Sequence, residues 1–68
     1  MRQVIIYPEE DGYFVAECPS LPGCISQGLI REETLIYIRE AIQLYIDVLV
    51  EKGQPVHEER FETIPIAV

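Results

Sequence analysis

The chain of 68 residues is long enough for one small domain and excludes a second, because single domains run from about 50 to 250 residues. Twelve acidic residues against five basic ones give a net charge of −7, which excludes the usual basic surface for nucleic acids. A hydrophobic share of 49% and a charged share of 25% are typical of a folded globular chain and exclude a disordered one.

Two strand-like segments come first and predict a β-hairpin. Val4–Tyr7 is apolar and β-branched, and the strand pattern resumes at Tyr13–Cys18 after a turn at residues 9–12, whose Gly12 can adopt positive φ. Two prolines and a glycine in residues 19–23 predict a second turn, because they cannot continue a central strand. Cys24–Gln27 then alternates apolar with polar residues, which predicts a third, antiparallel strand.

The apolar period changes from two to about 3.6 between Arg31 and Lys52, which predicts one helix that ends before Gly53 and Pro55. Its predicted core face consists of Thr34, Leu35, Ile38, Ala41, Ile42, Tyr45, Val48 and Leu49, widened by Tyr37, Leu44 and Ile46. Ile36 and Val50 lie on the charged side, where a monomer has no use for them.

The segment from Phe61 to Val68 predicts a last strand, which Pro65 restricts to a sheet edge. The order β-β-β-α-β predicts a single two-layer α+β domain over residues 1–68, with a three-strand antiparallel meander, one helix and a final edge strand. One helix covers only one sheet face, so the other face must be polar or meet another subunit. We therefore expect a homo-oligomer, either a dimer or a tetramer.

No group of residues indicates catalysis, a metal site or a cofactor. Glu9, Glu10 and Asp11 are typical of a solvated turn, and His57 lies in a polar connection. Cys18 and Cys24 lack the neighbouring positive charge that activates a thiol, so we interpret them as small apolar residues, with a loop disulfide as the alternative. Without an apolar run long enough to span a bilayer or a signal-peptide core, the sequence predicts a cytoplasmic protein that does not contact membranes.

About two thirds of the chain resembles the HicB-like antitoxins of bacterial and archaeal toxin–antitoxin systems. The matching features are Asp11-Gly12-Tyr13, Leu21-Pro22-Gly23-Cys24, a following Gly28, Arg31-Glu32-Glu33 and Arg39-Glu40-Ala41-Ile42. The resemblance implies a partial ribonuclease-H-like fold without that fold's catalytic carboxylates. It also implies that the protein binds and masks HicA, a small basic toxin that cleaves messenger RNA.

Three departures accompany this resemblance. Many members carry a DNA-binding segment after the last strand, whereas this sequence ends at Val68, so direct nucleic-acid binding is not expected. Ile30 stands where the family tends to have Ser or Thr opening the helix, and Thr34 stands where it tends to have Ala.

A net charge of −7 suits a basic partner independently of the resemblance, because complementary charge speeds encounter and competes with an anionic substrate. The predicted partner-binding residues are the acidic Glu9, Glu10, Asp11, Glu40 and Asp47 and the apolar Ile36 and Val50. Two alternatives stay open. One is a solitary homo-oligomeric structural or ligand-binding module without a toxin. The other, a metal-dependent nuclease, is disfavoured because the first strand offers no carboxylate.

Overall fold

A computed structural model describes all 68 residues and contains three strands followed by one helix. Strand β1 is Ile5–Pro8, β2 is Phe14–Glu17, β3 is Ile25–Gly28, and helix α1 is Arg31–Glu51. The predicted β-β-β-α order is confirmed, and the strand and helix bounds agree with the sequence pattern to within a residue or two.

The strands form one antiparallel sheet in the order β1-β2-β3, so β1 and β3 are its two free edges. The β1–β2 hairpin closes through Glu9, whose N–H donates to the Tyr13 carbonyl at 2.7 Å and whose carbonyl accepts from the Gly12 N–H at 3.1 Å. Gly12 has φ of +88°, which glycine adopts without steric cost, as the sequence predicts.

The loop between β2 and β3 folds inward and supplies part of the core. Hydrogen bonds from the Cys18 N–H to the Cys24 carbonyl and from the Cys24 N–H to the Leu21 carbonyl, both 3.0 Å, hold it closed. Leu21 is fully buried beside Cys18 and Cys24, whose thiols are free. The interpretation of the cysteines as small core residues is confirmed, whereas Leu21 was not expected in the core.

Helix α1 packs on one face of the sheet, mainly over β3 and β2. Thr34 and Ile38 are buried, and Ala41, Ile42, Tyr45 and Ile46 are partly buried around the same core, as predicted. The predicted widening of this face by Tyr37 and Leu44 is wrong, because both side chains are exposed, and Val48 is exposed as well. A helix of 21 residues is about 31 Å long, whereas a four-residue strand spans about 13 Å, so the sheet cannot cover the whole helix.

The predicted last strand does not form, since residues 54–68 have no regular secondary structure. The first part of this segment crosses the loop at residues 19–22, and the Glu59 carboxylate accepts a hydrogen bond from the Gln3 N–H at 2.8 Å. Ile64 and Ile66 beyond it are exposed, and their backbone makes no hydrogen bond to β1 or β3. A strand requires a hydrogen-bonded partner along its length, and the backbone of residues 61–68 has none.

Candidate protein-binding surfaces

The hairpin turn presents carboxylates at one end of the domain. Glu10 and Asp11 are exposed at its tip, and Glu9 is half-buried. The strand ends place the turn beside the start of α1, because Phe14 pairs with Gly28 and Gly28 lies against Thr34 in the first helical turn. Glu32 and Glu33 lie in that same turn of the helix. Five carboxylates therefore belong to this end of the molecule.

The negative charge of the chain is almost entirely unpaired. The structure contains one ion pair, in which the Arg60 guanidinium lies 2.9 Å from the Glu58 carboxylate. The other Asp and Glu side chains have no basic group within 4.0 Å. The potential around the protein is consequently negative, which is complementary to a positively charged surface.

The four predicted partner residues of the helix are all exposed on the side turned away from the sheet. They are Ile36, Glu40, Asp47 and Val50. Asp47 accepts a hydrogen bond from the Gln43 amide at 2.9 Å. Ile36 and Val50 are fourteen residues apart, which separates them by about 21 Å along the helix axis. They are isolated apolar side chains and not one continuous patch.

A continuous apolar surface lies elsewhere, between the free edge of β3 and the helix. A depression of about 380 Å³ lies between the beginning of β3 and the second half of the helix, and Ile25, Ala41, Leu44 and Val48 contribute to its lining. A second depression, of about 320 Å³, lies at the other end of the strand, between Leu29 and Tyr37. We call the surface formed by Leu29, Tyr37, Leu44 and Val48 beside the edge of β3 the β3 groove; all four side chains are exposed.

A row of carboxylates borders the β3 groove on the helix. With 3.6 residues per turn, positions seven apart lie nearly above one another, so Glu33, Glu40, Asp47 and Glu51 form one acidic stripe next to Tyr37, Leu44 and Val48. Glu33 accepts a hydrogen bond from the Tyr37 hydroxyl at 3.1 Å, which raises the pKa of that phenol. Lys52 lines the far end of the groove and is its basic residue.

The outer face of the sheet is neither wholly polar nor apolar. Tyr7 and Val15 pair directly, so their side chains share this face, and the Tyr7 hydroxyl donates to the Glu17 carboxylate at 2.9 Å. That hydrogen bond raises the pKa of Tyr7. Ile5 and Ile25 flank Glu17 in the neighbouring strands and are exposed at the two sheet edges.

The sequence pattern missed the β3 groove because helical periodicity assigns Leu44 and Val48 to the apolar side of the helix without saying what covers them. The available signal was the length of the helix relative to the three short strands.

The cysteine thiols are explained by their place in the core. Cys24 is buried, and burial raises the pKa of its thiol. No three His, Cys, Asp or Glu side chains lie close enough together to hold a metal ion, and no helix could cross a membrane.

Comparison with known proteins identifies similar chains over almost the whole length. A family profile described as HicB-like antitoxin of bacterial toxin–antitoxin system matches residues 3–64. A UPF0150 protein of Thermoplasma acidophilum is 43% identical over 63 residues, which cover 93% of this chain and 91% of the relative. A UPF0150 protein of Synechocystis is 43% identical over 65 residues, which cover 96% of this chain and 82% of the relative. No solved structure matches the chain, so the ribonuclease-H-like relationship stays a prediction.

Proposed function

We propose that this chain, which belongs to the HicB-like antitoxin family of bacterial toxin–antitoxin systems, binds and masks a small basic HicA-like toxin that cleaves messenger RNA. Family membership indicates a non-enzymatic role in a toxin–antitoxin system. The identity of the toxin and the masking mechanism are the proposed steps. Inhibition is steric and electrostatic, and no covalent chemistry is required.

The observation that carries the proposal is the excess of unpaired carboxylates. An enzyme that cleaves RNA needs a positively charged surface to bind the phosphate backbone of its substrate. A small protein with a net charge of −7 and a single internal ion pair is attracted to that same surface. Occupying the surface excludes RNA, because both ligands compete for the same basic side chains.

The acidic turn at Glu9, Glu10 and Asp11 is proposed to guide the first encounter with the toxin. Exposed charges outside the buried centre of an interface mainly change the association rate, and salt weakens their effect. Differences in dissociation rate instead follow the buried apolar contacts. The two kinds of residue are therefore distinguishable by kinetics.

The direct test looks for a small basic protein encoded by a gene next to that of this chain. Both proteins are purified, and cleavage of a labelled RNA by the basic protein is measured with increasing amounts of this chain. The proposal predicts stoichiometric inhibition and a complex that survives size-exclusion chromatography. If the neighbouring genes encode no basic protein, or if the pair does not bind, the proposal is wrong and the solitary-module alternative replaces it.

The role of the turn is tested with two variants of equal charge. Glu10→Lys with Asp11→Lys, and Glu58→Lys with Glu62→Lys, each raise the net charge from −7 to −3 and change exposed residues. The turn variant is expected to slow association about tenfold at low salt and to flatten its salt dependence, whereas the control changes it far less. Equal effects of the two variants would mean that only total charge matters and that the turn has no special role.

A further inference from the structure

We infer that the β3 groove is the surface that holds an apolar segment of the basic toxin, an inference that rests on the proposed function and deepens it. The occupant is a segment of the partner that carries apolar side chains flanked by Lys or Arg. The groove, and not Ile36 and Val50 on the outer side of the helix, then provides the apolar contact with the toxin. The acidic turn keeps its proposed role in the first encounter.

The groove contains neighbouring apolar side chains, unlike the outer side of the helix. Leu44 and Val48 are one helical turn apart, and Ile25 lines the same depression from the strand side. Ile36 and Val50 lie about 21 Å apart on the outer side of the helix, beyond the acidic stripe. A contiguous apolar patch with a polar rim is the usual feature of a protein-binding site, whereas scattered apolar residues are ordinary.

The charge beside the groove specifies the kind of partner. The acidic stripe of Glu33, Glu40, Asp47 and Glu51 follows the helix along the groove, and none of these carboxylates has a basic partner. A bound segment with Lys or Arg next to its apolar residues would place those cations opposite the stripe. A second copy of this chain would bring its own carboxylates there, and like charges across an interface oppose binding.

The edge of β3 also offers unpaired backbone groups. The Cys18 N–H donates to the Cys24 carbonyl, and antiparallel bonding alternates along the strand, so the bonds from β3 to β2 come from Cys24, Ser26 and Gly28. The N–H and carbonyl groups of Ile25 and Gln27 therefore point away from the sheet. An extended partner segment can add to this edge as a strand while its side chains enter the groove.

Two pairs of matched substitutions test the inference. Leu44 and Val50 lie on the same helix with exposures of 65% and 64%, so Leu44→Arg and Val50→Arg add the same charge at equally exposed sites. Leu29 in the groove and Ile66 in the C-terminal segment, both 75% exposed, provide a second pair, Leu29→Arg and Ile66→Arg. Binding of each variant to the purified neighbouring basic protein is measured by biolayer interferometry, after circular dichroism has verified the fold.

The groove variants are expected to raise the Kd at least about tenfold, mainly through faster dissociation, and the two control variants by less than about threefold. In the wild-type complex, NMR hydrogen exchange at the Ile25 and Gln27 amides is expected to slow. If the two variants of a pair change the Kd equally, or the control changes it more, the groove assignment is wrong. The proposed function is still supported in that case if the wild-type protein binds the toxin. If Leu44→Arg instead lowers the mass of the protein alone and leaves toxin binding unchanged, the groove is a self-association surface and the inference is wrong.

Discussion

Substituting Gly28 by Ala tests the contact that sets the helix against the sheet. Gly28 ends β3 and faces the first turn of the helix, where a Cβ atom would lie 2.7 Å from the Thr34 Oγ1 atom. It would also lie 3.1 Å from the Thr34 nitrogen and 3.3 Å from its Cα. Ordinary carbon contacts are about 3.5 to 4.0 Å, and the last two atoms belong to the helix backbone. The helix must therefore move to accept the methyl group.

We expect Gly28→Ala to reduce the free energy of unfolding by about 1 to 3 kcal/mol, the usual cost of overpacking a filled interior. This is a large part of the roughly 3 to 5 kcal/mol that a core of this size supplies. Because the same contact positions the helix beside β3, the variant should also weaken binding at the β3 groove. Urea denaturation followed by circular dichroism measures the loss of stability.

A double-mutant cycle with Thr34→Ala identifies the cause. Thr34 is buried and its hydroxyl donates to the Ile30 carbonyl at 2.8 Å, so its removal alone should cost about 1 kcal/mol. In the double variant the closest contact is gone but the two backbone contacts stay. The combined loss should consequently fall short of the sum of the single losses by about 1 kcal/mol. Additive losses, or a Gly28→Ala variant as stable as the wild type, would refute the reasoning.

Four further predictions follow from individual elements. Ile30 is the N-cap of the helix, makes no side-chain capping hydrogen bond and is 54% exposed. Ile30→Thr should therefore raise the free energy of unfolding, measured by urea titration, by about 1 kcal/mol. A lower stability of the variant would show that the Ile30 side chain packs against the protein. Burial raises the pKa of Cys24 in the folded state, so the stability that the protonated thiol contributes is lost as pH rises through that pKa. The urea midpoint should therefore fall as pH rises above the ordinary thiol pKa of about 8.5. The fall should be smaller in Cys24→Ala, and parallel pH profiles of the two proteins would contradict this. Deleting residues 62–68 should change the midpoint of thermal unfolding by less than about 1 °C, because these residues are exposed and make no hydrogen bonds to the rest of the chain. A larger fall would mean that they pack against the domain. Light scattering at micromolar concentration should give at least a dimer mass, reduced by Ile36→Asp, whereas a folded monomer would contradict the predicted homo-oligomer.

Local features were predictable from adjacent residues. The turn before Gly12, the helix start after Ile30 and the helix end before Gly53 each depend on the backbone preferences of a few neighbouring residues. The helix ends with the Gly53 N–H donating to the Val50 carbonyl at 3.0 Å and the Gln54 N–H donating to the Leu49 carbonyl at 2.9 Å, a pattern typical of a glycine after a helix. Net charge is likewise a property of composition alone, so the proposal of a basic partner could be made from the sequence.

Features that depend on distant residues were not predictable. Leu21 lies in a segment rich in turn residues, yet the closed loop between Cys18 and Cys24 buries it completely. The segment from Phe61 to Val68 has the alternation of a strand but makes no backbone hydrogen bonds to a sheet edge. Whether an apolar residue is covered depends on how far the packed elements extend.

The candidate site shows the same division. Periodicity placed Leu44 and Val48 on the apolar side of the helix and Glu40 and Asp47 on its charged side, without saying that the two rows border an open groove. The groove exists because a helix of about 31 Å crosses strands of about 13 Å and because β3 is a free edge. Side-chain periodicity is a local property of the backbone, but exposure is set by which surfaces the packed elements leave uncovered.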